Sequence, residues 1–313
     1  FVPYRPDRAD DYIGRWGHLP WGANVHDVAA ERVKDLDLDC VIYQNGSQFF
    51  IERFAVLSPV QRNLPSLYIE HDPPRGHPTD TRHPVDDPSV LMIHVTPFNQ
   101  LMWDTRRTPS VVIEHGVLVP EGIPYTGEYP RGIVVVNHLR RRGRRLGADL
   151  YEAMRAAVPL DCVGMGSEEI PGGLGEVIHR DLPAFMARYR FFFHPIRYTS
   201  LGLAVCEAMM LGMPVVAPAT AEMATVIQNG VSGYVDTDVA KLTQAMQALI
   251  SDPGLARRLG EGARRCARER FNIDRFTKDW NEALALVTGT AVPRGAGRAP
   301  QEEQYAKKDR HYQ

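Results

Sequence analysis

The chain has 313 residues, 24% charged and 44% hydrophobic, ordinary figures for a globular protein and enough length for two domains with separate cores. A formal net charge of −2 excludes a global field that would gather nucleic acid or acidic membranes. Four scattered cysteines (Cys40, Cys162, Cys206, Cys266), with no CxxC spacing, exclude a disulfide or zinc framework and read as reduced thiols of a cytosolic protein.

In chain order, the first pattern is helical, His26–Lys34. The acidic run Asp35-Leu-Asp37-Leu-Asp39 follows, before a strand at Cys40–Tyr43 and a polar turn, Gln44-Asn45-Gly46. Carboxylates in that spacing suit a divalent cation. Lying before a strand, they fall at the bottom of a sheet and read as a solvated turn. Further strands are expected at Leu67–Ile69, Val90–Val95 and Val111–Ile113. Between the first two lie the polar turn Glu70-His71-Asp72 and the segment Pro73–Pro88, a long surface loop with five prolines. A Pro/Gly linker, Val119–Pro124, closes this half.

The second half is more regular. A strand, Ile133–Val136, runs into Asn137-His-Leu-Arg-Arg-Arg-Gly-Arg-Arg-Leu-Gly147, with five arginines at a strand's carboxyl end. Doubly wound folds bind ligands there, and guanidinium forks match phosphate. Helix Ala148–Ala157, strand Leu160–Val163, helix Leu182–Tyr189 and strand Phe191–Phe193 follow. Gly172-Gly173-x-Gly175 lacks the dinucleotide-binding spacing. The polar turn Thr199-Ser-Leu-Gly202 then opens helix Leu203–Leu211, before strand Pro214–Ala217. A strand, a small-residue turn and a helix N-terminus bind phosphate, because the first N–H groups lack helical partners and the helix dipole favours an anion. Glu207, an acid two turns into an otherwise apolar helix, can accept from sugar hydroxyls if the helix end lines a cleft. The bland alternative makes Thr199 or Ser200 an N-cap and Glu207 a solvent-facing residue. Asp236-Thr-Asp238 reads as the cap of helix Val239–Ile250, which is followed by Pro253–Arg270 and an amphipathic last helix, Ile273–Val287. Alternating apolar strands and helices imply an α/β protein with parallel sheets covered by helices.

Pro195, Gly202, Glu207-Ala-Met209, Gly212 and Pro214-Val-Val-Ala217 stand in one order, followed by Val226-Ile227-x-x-Gly230-x-x-Gly233, Ser251-Asp-Pro253 and Arg270-Phe271. This series resembles the C-terminal domain of family 4 glycosyltransferases, over residues 110–287 and only loosely before. The resemblance implies the GT-B fold: two Rossmann-like domains facing each other across a cleft, with residues 1–122 on the acceptor side and 123–287 binding the nucleotide sugar. The last helix, 273–287, is expected to pack back on the first domain, and 288–313 to form a flexible tail. The usual first strand and glycine-rich turn are missing or disguised in Phe1–Trp21, and a start at Phe1 points to an incomplete N-terminus.

The resemblance also implies roles. Glu207 would bond the nucleotide ribose, and Ser200, Leu201 and Gly202 would offer N–H groups to the donor. Arg142, Arg144 and Arg145 would hold the diphosphate, with spacing unable to choose among them, and His138 stands where the family has an arginine. His71 would contact the sugar or acceptor, with Gln44 and Asn45 on the acceptor side; a loop histidine is more often structural. Thr199 replaces the first glutamate of the family's paired motif, eight residues before Glu207, and Thr225 replaces an acid before the Val-Ile segment. His115 stands where asparagine is usual.

The expected function is metal-independent transfer of a sugar, with retention, from a nucleotide-diphosphate sugar to a hydroxyl of a carbohydrate or lipid-linked acceptor. No cofactor and no nucleic-acid partner are expected, and the setting is cytoplasmic, at the inner membrane face if the protein associates peripherally. A degenerate sugar-nucleotide binder is the alternative, motivated by Thr199 and Thr225. An RNA-binding role for Arg140–Arg145 fits poorly with near-zero net charge, and an epimerase lacks a visible acid/base set.

Overall fold

A computed structural model describes residues 1–5, 14–15 and 21–290. The strands are β1 Val2–Tyr4, β2 Asp27–Ala29, β3 Val41–Tyr43, β4 Ser66–Glu70, β5 Val90–His94 and β6 Ser110–Val112 in the first half, and β7 Tyr129–Val135, β8 Leu160–Val163, β9 Tyr189–Phe193, β10 Val215–Pro218 and β11 Gly233–Asp236 in the second. The α-helices are α1 Arg53–Val56, α2 Pro97–Met102, α3 Leu139–Arg142, α4 Ala148–Arg155, α5 Leu182–Met186, α6 Leu203–Leu211, α7 Met223–Val226, α8 Val239–Ser251, α9 Pro253–Arg270 and α10 Ile273–Thr288.

Two parallel sheets result. The first has the order β3-β4-β5-β6 and the second β11-β10-β9-β7-β8. Both are covered on two faces, and the strands show why their sequences are apolar without interruption. In the second sheet Phe191, Phe193, Val134 and Val216 face one core, while Phe192, Ile133, Val215 and Ala217 face the other. In the first, Tyr68 and Met92 face one side and Leu67, Ile69, Leu91 and Ile93 the other. Successive side chains point to opposite faces, so a strand buried on both sides needs apolar residues throughout. Phe276, Trp280, Ala283, Leu284 and Val287 of α10 pack on the first sheet's second core, so the chain's last helix returns to the first half.

Several expectations need correction. His26–Lys34 is not one helix; β2 takes Asp27–Ala29 and a 3-10 helix takes Ala30–Asp35. The segment Leu182–Tyr189 is helical only to Met186, because Tyr189 already begins the fully buried β9. Phe1–Trp21 does hold a strand, but among the described residues β1 pairs with β2 alone, in a separate two-stranded ribbon. The expected tail falls mostly on 291–313, outside the described residues. Asp238 Oδ1 accepts from Ala240 N at 2.8 Å and so caps α8 as read. The Gly172–Gly175 stretch packs backbone to backbone: a Cβ on Gly173 would stand 1.6 Å from the Ser167 carbonyl oxygen. All four cysteines are free. Among the described residues, no helix is long and apolar enough to cross a membrane.

Candidate functional site

The second sheet locates the site by topology alone. From β7 the chain moves outward to β8, then returns past β7 to β9 and continues to β10 and β11 in the other direction. Strand order therefore reverses between β7 and β9, and the crevice beyond their carboxyl ends is where open α/β sheets bind ligands. The arginine-rich turn follows β7 and the Thr199–Gly202 turn follows β9, so the two motifs meet there.

Backbone bonds lock them together. Arg197 N and Tyr198 N both donate to the Arg145 carbonyl, at 3.0 and 3.4 Å. A Cβ on Gly147 would stand 2.0 Å from the Pro195 carbonyl oxygen, so only glycine, here at φ +81°, permits this approach. The basic turn is short helix α3 and a 3-10 turn, entered through His138 in a left-handed conformation, φ 52°. His138 N donates to the Met165 carbonyl at 2.7 Å, tying the ends of β7 and β8.

The three candidate arginines separate. Arg144 is turned away: its Nη1 pairs with Asp149 Oδ2, and the side chain is 77% exposed. Arg197 completes that outward cluster, donating to both Asp149 oxygens at 2.6 and 2.9 Å. Arg144 is thus already committed to a nearby carboxylate, unlike the Arg142 side chain. Arg145 Nη1 reaches the Tyr198 carbonyl at 3.5 Å. The Arg142 side chain has no hydrogen bond or ion pair among the described residues, and its pKa is lowered, first by burial and then by Arg145.

Helix α6 begins at Gly202, φ +107°, with no side-chain cap. Neither Thr199 nor Ser200 caps it, so the bland reading of that turn fails. The first N–H groups of α6 therefore keep their need for a partner. Ser200 and Leu201 are buried, while Thr199 and Gly202 are half-buried. Beneath Gly202 lies His194, the residue after β9; its Cε1 would stand 3.5 Å from a Cβ at Gly202. His194 is 4% exposed, its Nε2 has no partner among the described residues, and burial lowers its pKa to about 4. It is thus a neutral imidazole under the turn.

Glu207 is not solvent-facing. Its carboxylate is buried, and Oε1 lies 3.1 Å from Nε2 of His179, in the loop before α5. His179 carries no sequence signal beyond being a loop histidine. Helix α6 stops at Gly212, φ +87°, a left-handed C-cap two residues before Pro214.

Across the cleft, the first sheet presents its own carboxyl ends. His71 Nε2 bonds Gln44 Oε1 at 2.8 Å, joining the turns after β3 and β4. His71 keeps one edge in solvent, yet surrounding protein lowers its pKa, partly opposed by Glu70 and Asp72. Asn45 has a local task as well, its Oδ1 accepting from Gln48 N at 2.9 Å. The His71 turn is built from below: Glu70 pairs with the buried His83 at 3.0 Å and accepts from Asp72 N, and Trp103 Nε1 donates to the Asp72 carbonyl. His83 anchors the Pro73–Pro88 loop in the core. His115, after β6, has its pKa lowered to about 4 by burial, then by His71 and Arg275.

The halves are joined by an ion-pair clasp that sequence reasoning missed. Arg270 Nη2 binds Glu114 Oε1 at 2.5 Å and Glu222 Oε1 at 2.7 Å, while Glu222 Oε2 accepts from Phe98 N at 3.0 Å. Thr225, expected only as a missing acid, donates to the same Glu222 oxygen at 2.5 Å. A depression of about 820 Å3 lined by Arg53, Arg62, Ser66, Ser89 and Leu286 opens at the opposite ends of β4 and β5 and holds none of these groups.

Residues 169–252 match the family model "Glycosyl transferases group 1". A D-inositol 3-phosphate glycosyltransferase 1 from Catenulispora acidiphila is 29% identical over 184 residues, 51% of this chain and 42% of the relative. A D-inositol 3-phosphate glycosyltransferase from Salinispora arenicola is 34% identical over 128 residues, 40% and 27% respectively. The chain thus spans less than half the length of these curated relatives. Among solved structures, sucrose-phosphate synthase from Thermosynechococcus elongatus superposes with a TM-score of 0.62 at 16% identity, covering 81% of this chain and 74% of that one. A glycosyltransferase from Rickettsia africae gives 0.60 at 15%, covering 84% and 80%. Anabaena HepE in complex with UDP-glucose gives 0.56 at 17%, covering 79% and 78%. The fold is the two-domain GT-B architecture of these enzymes.

Proposed function

We infer that the protein is a glycosyltransferase that moves a sugar from a nucleotide-diphosphate sugar to an acceptor hydroxyl. One observation supports the reading: the arginine turn follows β7 and the uncapped start of α6 follows β9, at the carboxyl ends of the two strands between which the sheet order reverses, and α6 carries the buried Glu207. The matched family segment covers α6 and Glu207, and one fold neighbour holds UDP-glucose.

In this reading Glu207 accepts from the ribose hydroxyls. The N–H groups at the start of α6 receive the diphosphate, and Gly202 lets it approach the backbone. Arg142 and Arg145 stabilise the charge that grows on the diphosphate as the sugar–oxygen bond breaks. These groups supply the positive charge, which favours a metal-independent reaction. The acceptor enters from the side of Gln44 and His71, and the cleft between the domains shields the sugar from water. Retention of configuration rests on the likeness of Pro195–Gly233 to the retaining family. A carbohydrate or lipid-linked glycan is the acceptor class this reading favours.

The test is turnover of a panel of nucleotide sugars with and without chelator. Release of nucleoside diphosphate that depends on acceptor and survives chelation supports the reading. Tight binding without turnover across the panel favours the degenerate binder instead, for which the neutral Thr199 is the motivating observation.

A further inference from the structure

The depression at the amino ends of β4 and β5 lies at the opposite end of the first sheet from His71 and the cleft. Two arginines line it, Arg53 of α1 and Arg62 of the 3-10 turn Gln61–Asn63. One half-exposed ring steadies both: the guanidinium carbons of Arg53 and Arg62 lie 4.9 and 5.5 Å from the centre of the Phe54 ring. Phe49 holds Arg53 a second time, at 4.3 Å. Arg62 Nη1 also donates to the Leu57 carbonyl at 3.2 Å. Neither guanidinium has an ion pair among the described residues, and the buried Nε of Arg53 has no hydrogen-bond partner there. Asp87, the acid among the lining residues, is engaged instead by Ser89, whose amide and hydroxyl donate to its Oδ1 at 2.9 and 2.6 Å. Leu64, Pro65 and, from α10, Leu286 give the wall an apolar part.

A guanidinium keeps its charge throughout the working pH range, and an N–H buried without a partner costs free energy. Ring contacts orient the two forks but supply no carboxylate or phosphate to fill them. A phosphate dianion has three acceptor oxygens, enough for forks that arrive from two separate elements. At about 820 Å3 the depression is larger than one phosphate needs and has the size of a small-molecule site. We propose that it is a second ligand site, which takes a small phosphomonoester. The phosphate binds Arg53 and Arg62, and the apolar body of the ester lies against Leu64, Pro65 and Leu286. Because α10 returns to this sheet directly after Arg270 of the clasp, the ligand joins the first sheet to the helix that links the two halves. The site stands apart from the donor-site reading and does not depend on it.

Calorimetric titration of the full chain with phenyl phosphate, inorganic phosphate and phenol tests the proposal. Phenyl phosphate is expected to bind about tenfold tighter than inorganic phosphate, and phenol not to bind. Arg53→Ala and Arg62→Glu should each weaken phenyl phosphate about tenfold or more, and Arg53→Lys less, since it keeps the charge and loses the fork. Arg62→Glu alters a partly exposed position and reads the site even if Arg53→Ala fails to fold. A chain carrying both Arg142→Ala and Arg145→Ala should keep this binding. No binding of phenyl phosphate overturns the proposal, and so does binding unchanged by Arg62→Glu. Phenol binding as tightly as phenyl phosphate overturns it too, because the arginines are then idle. Loss of binding in the Arg142→Ala, Arg145→Ala chain with retention in Arg62→Glu places the anion in the cleft and refutes the second site.

Discussion

His179 Nε2 stands 3.1 Å from Oε1 of Glu207, the imidazole 58% exposed and the carboxylate 10%. A half-free ring thus fixes a nearly buried acid, leaving the second carboxylate oxygen for a ligand. His179→Ala removes this orienting partner. Nucleoside diphosphate affinity is expected to fall by about 1 kcal/mol, roughly fivefold, the net value of one hydrogen bond. A gain in affinity on titration would show that His179 competes with the ligand rather than positioning its partner.

The arginine turn gives a contrast within four residues. Arg142→Ala and Arg145→Ala should each weaken diphosphate binding by about 1.5–3 kcal/mol, the range for hydrogen bonds to charged groups. Arg144→Ala should change it little, because Arg144 is exposed and committed to Asp149. Inhibition constants for the nucleoside diphosphate read all three variants. A larger loss in Arg144→Ala than in Arg142→Ala would contradict the assignment.

Glu222 is the buried member of the clasp, its side chain 2% exposed. Glu222→Ala leaves Arg270 with one partner fewer and strands Phe98 N. Removing one partner of a buried pair costs about 3–5 kcal/mol. Chemical denaturation should show a loss of that order, whereas the exposed Lys278–Glu282 pair should be nearly silent on substitution.

Two buried histidines set an acid limit on stability. Burial lowers the pKa of His94, with a further push from His83, and that of His194, each to about 4. The unfolded chain titrates near 6.5, so it binds protons first as pH falls. Their contribution is present above about pH 6.5 and is lost as pH falls toward 4, at about 2 kcal/mol per histidine between pH 7 and 5. Both ring nitrogens of His94 lack partners among the described residues. His94→Leu should therefore flatten the pH dependence of urea midpoints without lowering stability at pH 7. An unchanged slope would contradict the neutral-histidine account.

The sequence made some of this legible and hid the rest for physical reasons. Strands buried on both faces, such as Phe191–Phe193, are apolar runs that periodicity finds. Asp27–Ala29 carries no such mark, since β2 is short and only partly buried, and it lay inside a helical pattern. The phosphate-type turn and Glu207 were visible because strand, turn and helix are consecutive in the chain. Arg142 and Arg144 were indistinguishable because their directions depend on Asp149 and Arg197, and Arg197 comes from a distant part of the chain. His179 and Glu222 were missed because each gains meaning only from a partner far away in sequence.

The central claim is that Glu207 lies in a nucleotide site. Its most direct test is calorimetric titration of UDP, and of GDP if UDP does not bind, into the wild-type chain and Glu207→Ala. The account predicts a loss of about 1.5–3 kcal/mol, as hydroxyl groups lose a charged acceptor, with inorganic pyrophosphate binding unchanged. Equal nucleotide affinity in the two proteins would contradict it.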